Sequence, residues 1–238
     1  MSKIKLIFFG IILGGSLIIS ASMISRTFLD VRRLDDAISV SGSAKQAVTA
    51  DSARWTGSFS RIFLADNLKE GYVQMKKDEQ AVNTFLAGSG FQGKFEISPV
   101  FMYEVYHQDQ SAPREYNLTQ NIEVKSPDVE AVKNLAKNVE KLAEQGIIFS
   151  ASPVEYYYSQ LPEARISLLP EAIKDAKARA EAIALSSGKK VGAIKSVSMG
   201  VVQVMPVGAI EISDYGTYDT SSVKKEVMVT VKAAFGLE

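Results

Sequence analysis

From Leu6 to Ile24 the chain carries no charged residue, and Lys3 and Lys5 stand just before the run. As a helix at about 1.5 Å per residue, such a stretch measures a little under 30 Å, close to the thickness of a bilayer's hydrocarbon core. The segment has to lie in lipid or be removed, so the rest of the chain is expected to be anchored to a membrane or exported across one. A secretory signal has the same charge pattern, but its apolar core spans only about 7 to 15 residues and ends in small residues. Ser20-Ala21-Ser22 offers a poor cleavage site, and Met23 and Ile24 carry the apolar run past it. Length favours an uncleaved single-pass anchor; secretion after cleavage is the alternative. Lys3 and Lys5 place the N-terminus in the cytoplasm, a bias that Arg26, Arg32 and Arg33 weaken and that Asp30, Asp35 and Asp36 do little to restore. The expected domains are an anchor over 1–25, a charged juxtamembrane linker over 26–36 and a folded extracytoplasmic body over 37–238.

Composition narrows the chemistry of that body. Without the first 25 residues the chain keeps 25 of its 27 basic groups and all 27 acidic ones, a net charge of −2. It offers no polybasic surface for nucleic acid. There are no cysteines, so disulfides, thiolate nucleophiles and Cys-ligated metals are excluded. The body must therefore be held by packing alone, and a little over 200 residues suffice for that in one large domain or two lobes.

Periodicity then gives the elements. Ile38 and Val40 alternate with Ser39 and Ser41 until Gly42, which is expected to interrupt the strand. From Ala53 to Leu64, Trp55, Phe59 and Phe63 alternate with Thr56, Ser58 and Ser60, as in a half-buried strand. Asn67 is read as the N-cap of a helix, with Glu70 three residues on. That helix carries Leu68, Tyr72, Met75, Val82 and Leu86 on one stripe and stops at Gly88 and Gly90. Phe95 to Tyr106 reads as a strand with Pro99 at an edge or bulge, and 107–114 as a polar hairpin tip. Glu115 to Val124 returns with Tyr116, Leu118, Ile122 and Val124 on one face. Ser126-Pro127 is expected to cap and start a helix with the stripe Val129, Val132, Leu135, Val139 and Leu142, closed by a left-handed Gly146. A strand over 147–158 follows.

Glu163 to Gly188 reads as a third helical region, its main body started or kinked by Pro170. Its many alanines permit close packing on its own sheet, the favoured reading, or an oligomer contact. After it come a strand over 191–204, a long loop over 205–222, and a final strand in which Val227, Val229 and Val231 alternate with Met228, Thr230 and Lys232. The order implies an α+β fold of antiparallel sheets with helices packed on one face, in two lobes of related layout without a residue-level repeat.

Several of these residues carry a resemblance. Ile38-Ser39-Val40-Ser41-Gly42, Asp51-Ser52-Ala53, the helix from Glu171-Ala172 to Ala178-Arg179-Ala180, the run Gly188-Lys189-Lys190-Val191-Gly192-Ala193-Ile194 and the closing valine strand together resemble the SIMPL domain family. The likeness covers nearly all of the exported part. It implies an α+β domain of bacterial envelope or periplasmic proteins, often of unassigned function, with some members linked to stress responses and some to ring-like self-assembly. It brings no catalytic residues. Pro170 and the 205–222 loop are places where this chain is expected to depart from its relatives, which usually carry a cleavable signal.

No catalytic, cofactor-binding or metal-ligating residues are assigned. His107 is the only histidine, in a polar tip beside Asp109, and is read as solvent-exposed. Glu211, Asp214 and Asp219 lack the ligand spacing of a calcium loop and are read as solvated. The glycines at Gly88, Gly90 and Gly188 to Gly192 are not followed by the lysine and hydroxyl of a phosphate loop. Tyr156-Tyr157-Tyr158, with Tyr103 and Tyr106, forms a cluster read mainly as core, with a subunit contact as the sharper alternative. The expected function is non-enzymatic: a membrane-anchored envelope protein, without cofactor, that forms homo-oligomers or binds other envelope proteins. The alternatives are a small-molecule or peptide binding module with its groove between the lobes, and a hydrolase using a residue such as Asp51, otherwise a turn or cap residue.

Overall fold

The computed structural model describes residues 3–34, 37–89, 91, 93–108, 112–209, 213 and 215–238, and, within the first helix, the side chains of 9–27. That helix, α1 (Lys3–Leu34), contains the apolar window Phe9–Thr27, none of which is buried. It does not stop where the apolar run stops, and continues through most of the expected linker.

The remaining elements in order are β1 (Ala37–Thr49), β2 (Ser52–Leu64), a 3₁₀ turn (Ala65–Asn67), α2 (Leu68–Gly88), β3 (Lys94–Ile97), β4 (Phe101–Glu104), β5 (Glu115–Ser126), α3 (Val129–Lys137), α4 (Glu140–Glu144), β6 (Phe149–Ala151), β7 (Glu155–Tyr157), α5 (Leu161–Ser186), β8 (Val191–Pro206), β9 (Thr217–Tyr218) and β10 (Lys224–Leu237). They form two compact units. One holds residues 1–44, 168–201 and 229–238, the other 45–167 and 202–228.

The larger unit is built on a six-stranded sheet in which β2 pairs with β5 along its whole length, β3 and β4 flank β5, and β6 and β7 flank β2. All these pairings are antiparallel, as the strand-helix-strand order implies. Trp55, Phe59, Leu118, Ile122 and Val124 point to one face and are covered by Met75, Val82 and Leu86 of α2 and by Val132, Leu135 and Leu142 of α3 and α4. Trp55 stacks on Phe149 at 5.6 Å. The expected single strand over 95–106 is two, because Pro99 has no N–H to give the ladder, and Ser98 Oγ accepts the Asn121 amide in the gap. The strand over 147–158 is likewise broken into β6 and β7.

Helix starts differ from expectation in an instructive way. Asn67 precedes α2 but makes no side-chain capping bond, and Tyr72 is 46% exposed. Ser126 remains at the end of β5, and its hydroxyl accepts the amide of Asp128. Asp128 is the true cap of α3, its carboxylate accepting the Ala131 N–H at 2.9 Å. Removing that acceptor by Asp128→Ala is expected to lower stability by about 1 kcal/mol, read as a fall in the urea midpoint. Gly146 follows α4 with φ +75°, the left-handed residue expected there, and Gly188 follows α5 with φ +71°.

The smaller unit contains α5 from Leu168 onward together with parts of β1, β8 and β10. The second sheet runs in the order β1-β10-β8-β9. Ala172, Ala176 and Ala180 of α5 are fully buried against Val40, Val231, Ala233 and Phe235. Four-residue spacing puts these alanines, and the buried Ala184, on one ridge, which is the close packing that the composition suggests. Pro170 lies inside α5, nine residues after its start at Leu161, and does not begin it. Gly42 does not interrupt β1 either. It sits within the strand, buried, where an added Cβ would fall 2.3 Å from the backbone of Ala172 and Ala176. Asp175, on the next turn, accepts the Ser43 amide at 2.8 Å and pairs with Arg179 at 2.9 Å. These contacts, the amide first, hold its carboxyl below the usual range.

Candidate functional site

Alternation along β2 and β5 that sends Trp55 and Ile122 inward sends Arg54, Thr56, Ser58, Asn121 and Glu123 to the sheet's other face. Those side chains, with Glu96, Ser98, Ser150 and Ser152, line a polar groove of about 570 Å³. Arg54 carries the charge network of this face. It donates from Nε to Glu123 at 3.1 Å and from Nη1 to Glu155 at 3.4 Å, while Lys125 also closes on Glu123. The hydrogen bond from Lys125, followed by that from Arg54, lowers the Glu123 pKa; Arg54 is itself raised, chiefly by Glu123. Tyr157 donates to Glu155 at 2.8 Å, and burial first, then that bond, raises its pKa. The groove thus presents fixed charges already matched within the sheet, bordered by small hydroxyl side chains.

Asp51, the residue named for a possible hydrolase, accepts the amide and the hydroxyl of Ser159, each at 2.8 Å. The pair lies beside a second groove of about 690 Å³ that also includes Lys94, Phe95 and Pro127. Both oxygens are engaged in tying the start of β2 to the chain just ahead of α5, the work of a turn residue. His107 is elsewhere: Nε2 lies 3.1 Å from Glu115, at the base of the β4–β5 connection. Its sequence neighbour Asp109 lies outside the described residues, as do Glu211, Asp214 and Gly90. Among the described residues, no three His, Asp or Glu side chains gather as metal ligands.

The tyrosines do not form one cluster. Tyr156 packs against the core, Tyr157 stacks on Tyr218 at 5.9 Å, and the Tyr158 amide donates to the Tyr218 hydroxyl. Tyr103 is on the far side of the sheet, accepting from Asn117, and Tyr106 is 88% exposed.

Two polar centres went unread in the sequence. Asp78 is buried in the helix stripe between Met75 and Val82. It receives Nε and Nη2 of Arg61 at 2.6 and 3.0 Å and Gln74 at 3.0 Å, while Arg61 also donates to the Gly146 carbonyl. The hydrogen bond to Asp78 raises the Arg61 pKa against the opposing cost of burial. The other centre is Lys225, whose side chain is wholly inaccessible. Its ammonium reaches the backbone carbonyl of Asp219 and lies 3.2 Å from its carboxylate, 5.9 Å above the Tyr218 ring. Burial works to raise the Asp219 pKa, but donors from Ser221, Ser222 and Lys225 outweigh it and hold the group far below the usual carboxylate range. One sequence signal exists: Lys225 is in phase with Val227, Val229 and Val231, on the inward face of β10.

No curated protein matches the chain. Among solved structures it is similar to two hydantoinase/carbamoylase family amidases. One, from Burkholderia ambifaria, is 14% identical over 50% of this chain and 33% of that chain, with TM-score 0.28. The other, from Burkholderia multivorans, is 14% identical over 49% and 28%, with TM-score 0.24. This chain therefore spans a third or less of their length, and likenesses this weak carry no argument about fold or activity. The family comparison is of another order: SIMPL, a protein of unknown function (DUF541), matches residues 38–235, everything from the second residue of β1 to near the end of β10. The chain belongs to the SIMPL family and carries an N-terminal apolar helix ahead of the family domain.

Proposed function

We propose that this is a non-enzymatic, single-pass membrane protein whose SIMPL domain lies on the extracytoplasmic side and acts by association, with further copies of itself or with other envelope proteins. The observation that carries the reading is the α1 window Phe9–Thr27, long enough to cross a bilayer and with no part buried by the fold. A soluble chain would leave that surface in water, at a cost of roughly 25 cal/mol for each Å². The matched charges of the Arg54 network and the full engagement of Asp51 support a body that works through its surfaces. The inner membrane, the periplasm and a role in stress responses are what the family resemblance adds.

Fractionation of expressing cells tests the anchor. Full-length chain is expected in the membrane pellet, retained through high-salt and alkaline carbonate washes, and digested beyond Arg26 by protease added to spheroplasts. Intact chain in the cytosol would overturn the reading. An N-terminus beginning at Met23 in a soluble periplasmic fraction would replace the anchor with a cleaved signal.

A further inference from the structure

β8 is a sixteen-residue strand with a neighbour along only part of one side. β10 pairs with it on one edge; on the other, β9 pairs only with Gln203 and Val204, through Thr217 and Tyr218. Among the described residues, no strand pairs with Val191 to Val202 on that side, which leaves a strand edge about 40 Å long at 3.3–3.4 Å per residue. Edges of this kind are normally shielded by charges, proline, a bulge or brevity, because they invite another strand. This one is long, holds a single charged residue, Lys195, and meets no proline before Pro206. Its apolar side chains are also in the open: Ile194, Val197, Met199 and Val201 are 39 to 54% exposed.

We infer that the β8 edge pairs antiparallel with the β8 edge of a second copy, joining two sheets into one across a two-fold axis. This rests on the association proposed above and names its surface and partner. The sequence of the edge favours its own copy. With the axis at Ser198, Val197 of one chain faces Met199 of the other, and Lys195 faces Val201. Val197 and Met199 meet as an apolar pair, and the two lysines are not set directly opposite, where like charges destabilise a strand pair. Ser196, Ser198 and Gly200 keep the axis uncrowded on the other face. A two-fold contact of this type is self-complementary and closes at the dimer.

The absence of cysteine makes the test direct, since the full chain serves as its own unreactive background. Single cysteines are placed from Ile194 to Val201, and the chains are oxidised in membranes and run on non-reducing gels. A disulfide needs Cα atoms about 4.4–6.8 Å apart, so antiparallel pairing gives covalent dimer that peaks near the axis and falls away on both sides. The expected result is conversion of most Ser198→Cys chain to dimer, efficient joining of mixed Val197→Cys and Met199→Cys chains, and little dimer from Thr84→Cys on the exposed side of α2. Light scattering of the full chain in detergent separates two failures. A multimer in which no edge position yields dimer would overturn the surface and leave self-association standing, whereas a monomer would overturn both. Equal dimer at every edge position would mean parallel pairing and would sink the two-fold geometry.

Discussion

Replacing Lys225 with methionine is expected to remove about 3 to 5 kcal/mol of stability, because it leaves the carboxylate of Asp219 desolvated without its cation. Lys225 is fully buried and Asp219 nearly so, so little solvent screening reduces the loss. At a slope of about 2 kcal/mol/M, the urea midpoint falls by roughly 2 M. Trp55, the only tryptophan, is buried in the same unit and reports the transition by its fluorescence. Removing both charges with Lys225→Met and Asp219→Asn is expected to recover much of the loss, since the cost lies in the unpaired ion. Acid supplies an independent check. Asp219 has a folded pKa far below its unfolded value of about 3.9, so its contribution is fully present above that value and is lost as pH falls through the folded one. The variant lacks one of the donors that lower the pKa. Its stability therefore falls less steeply below pH ~4, and the gap between the two proteins narrows in acid. A gap that stayed constant with pH would show that the lysine acts through packing rather than charge.

The same lysine shows what can be read from a linear sequence. Strand and helix periodicity follows from side chains meeting a common core, so Trp55, Phe59, Val132, Leu135 and Val229 were all placed correctly by spacing alone. Gly146 was equally legible, because a left-handed residue after a helix is a local matter. Asp78 and Lys225 were not. Each occupies an inward position that spacing reserves for an apolar residue, and each is tolerated because a partner arrives from another segment, Arg61 from β2 and Asp219 from the loop before β10. A charged residue in the apolar phase of a strand or helix is thus the readable half of a buried ion pair; the other half needs the fold. The cap of α3 moved for a related reason. Ser126 and Asp128 are both competent, and the pairing of β5 with β2 keeps Ser126 in the sheet. Of the surfaces, the Arg54 charge network comes from β2, β5 and β7, and only their register brings Glu123 and Glu155 to one arginine.

Gly42→Val is expected to disrupt the smaller unit more than any exposed substitution on α5. Small residues on both sides let β1 and α5 approach until a Cβ at Gly42 would lie 2.3 Å from Ala172 O and Ala176 N and 2.7 Å from Ala176 Cα. These are backbone atoms in the middle of a helix, with no rotamer to turn, so the helix itself must move. Moving it pulls Ala172, Ala176 and Ala180 off Val231 and Phe235 and strains the Ser43–Asp175 hydrogen bond beside the contact. Overpacking typically costs about 1–3 kcal/mol, and a clash against fixed backbone belongs at or above the top of that range. The measurement is the thermal transition of the full chain in detergent followed by circular dichroism, with Ala178→Leu on the exposed face of the same helix as the control. That control is expected to stay within about 0.5 kcal/mol of the parent protein. Gly42→Ala should already show most of the damage, since the first carbon makes the contact. A small loss from alanine and a large one from valine would instead mean that β1 and α5 sit farther apart than the buried alanine ridge implies.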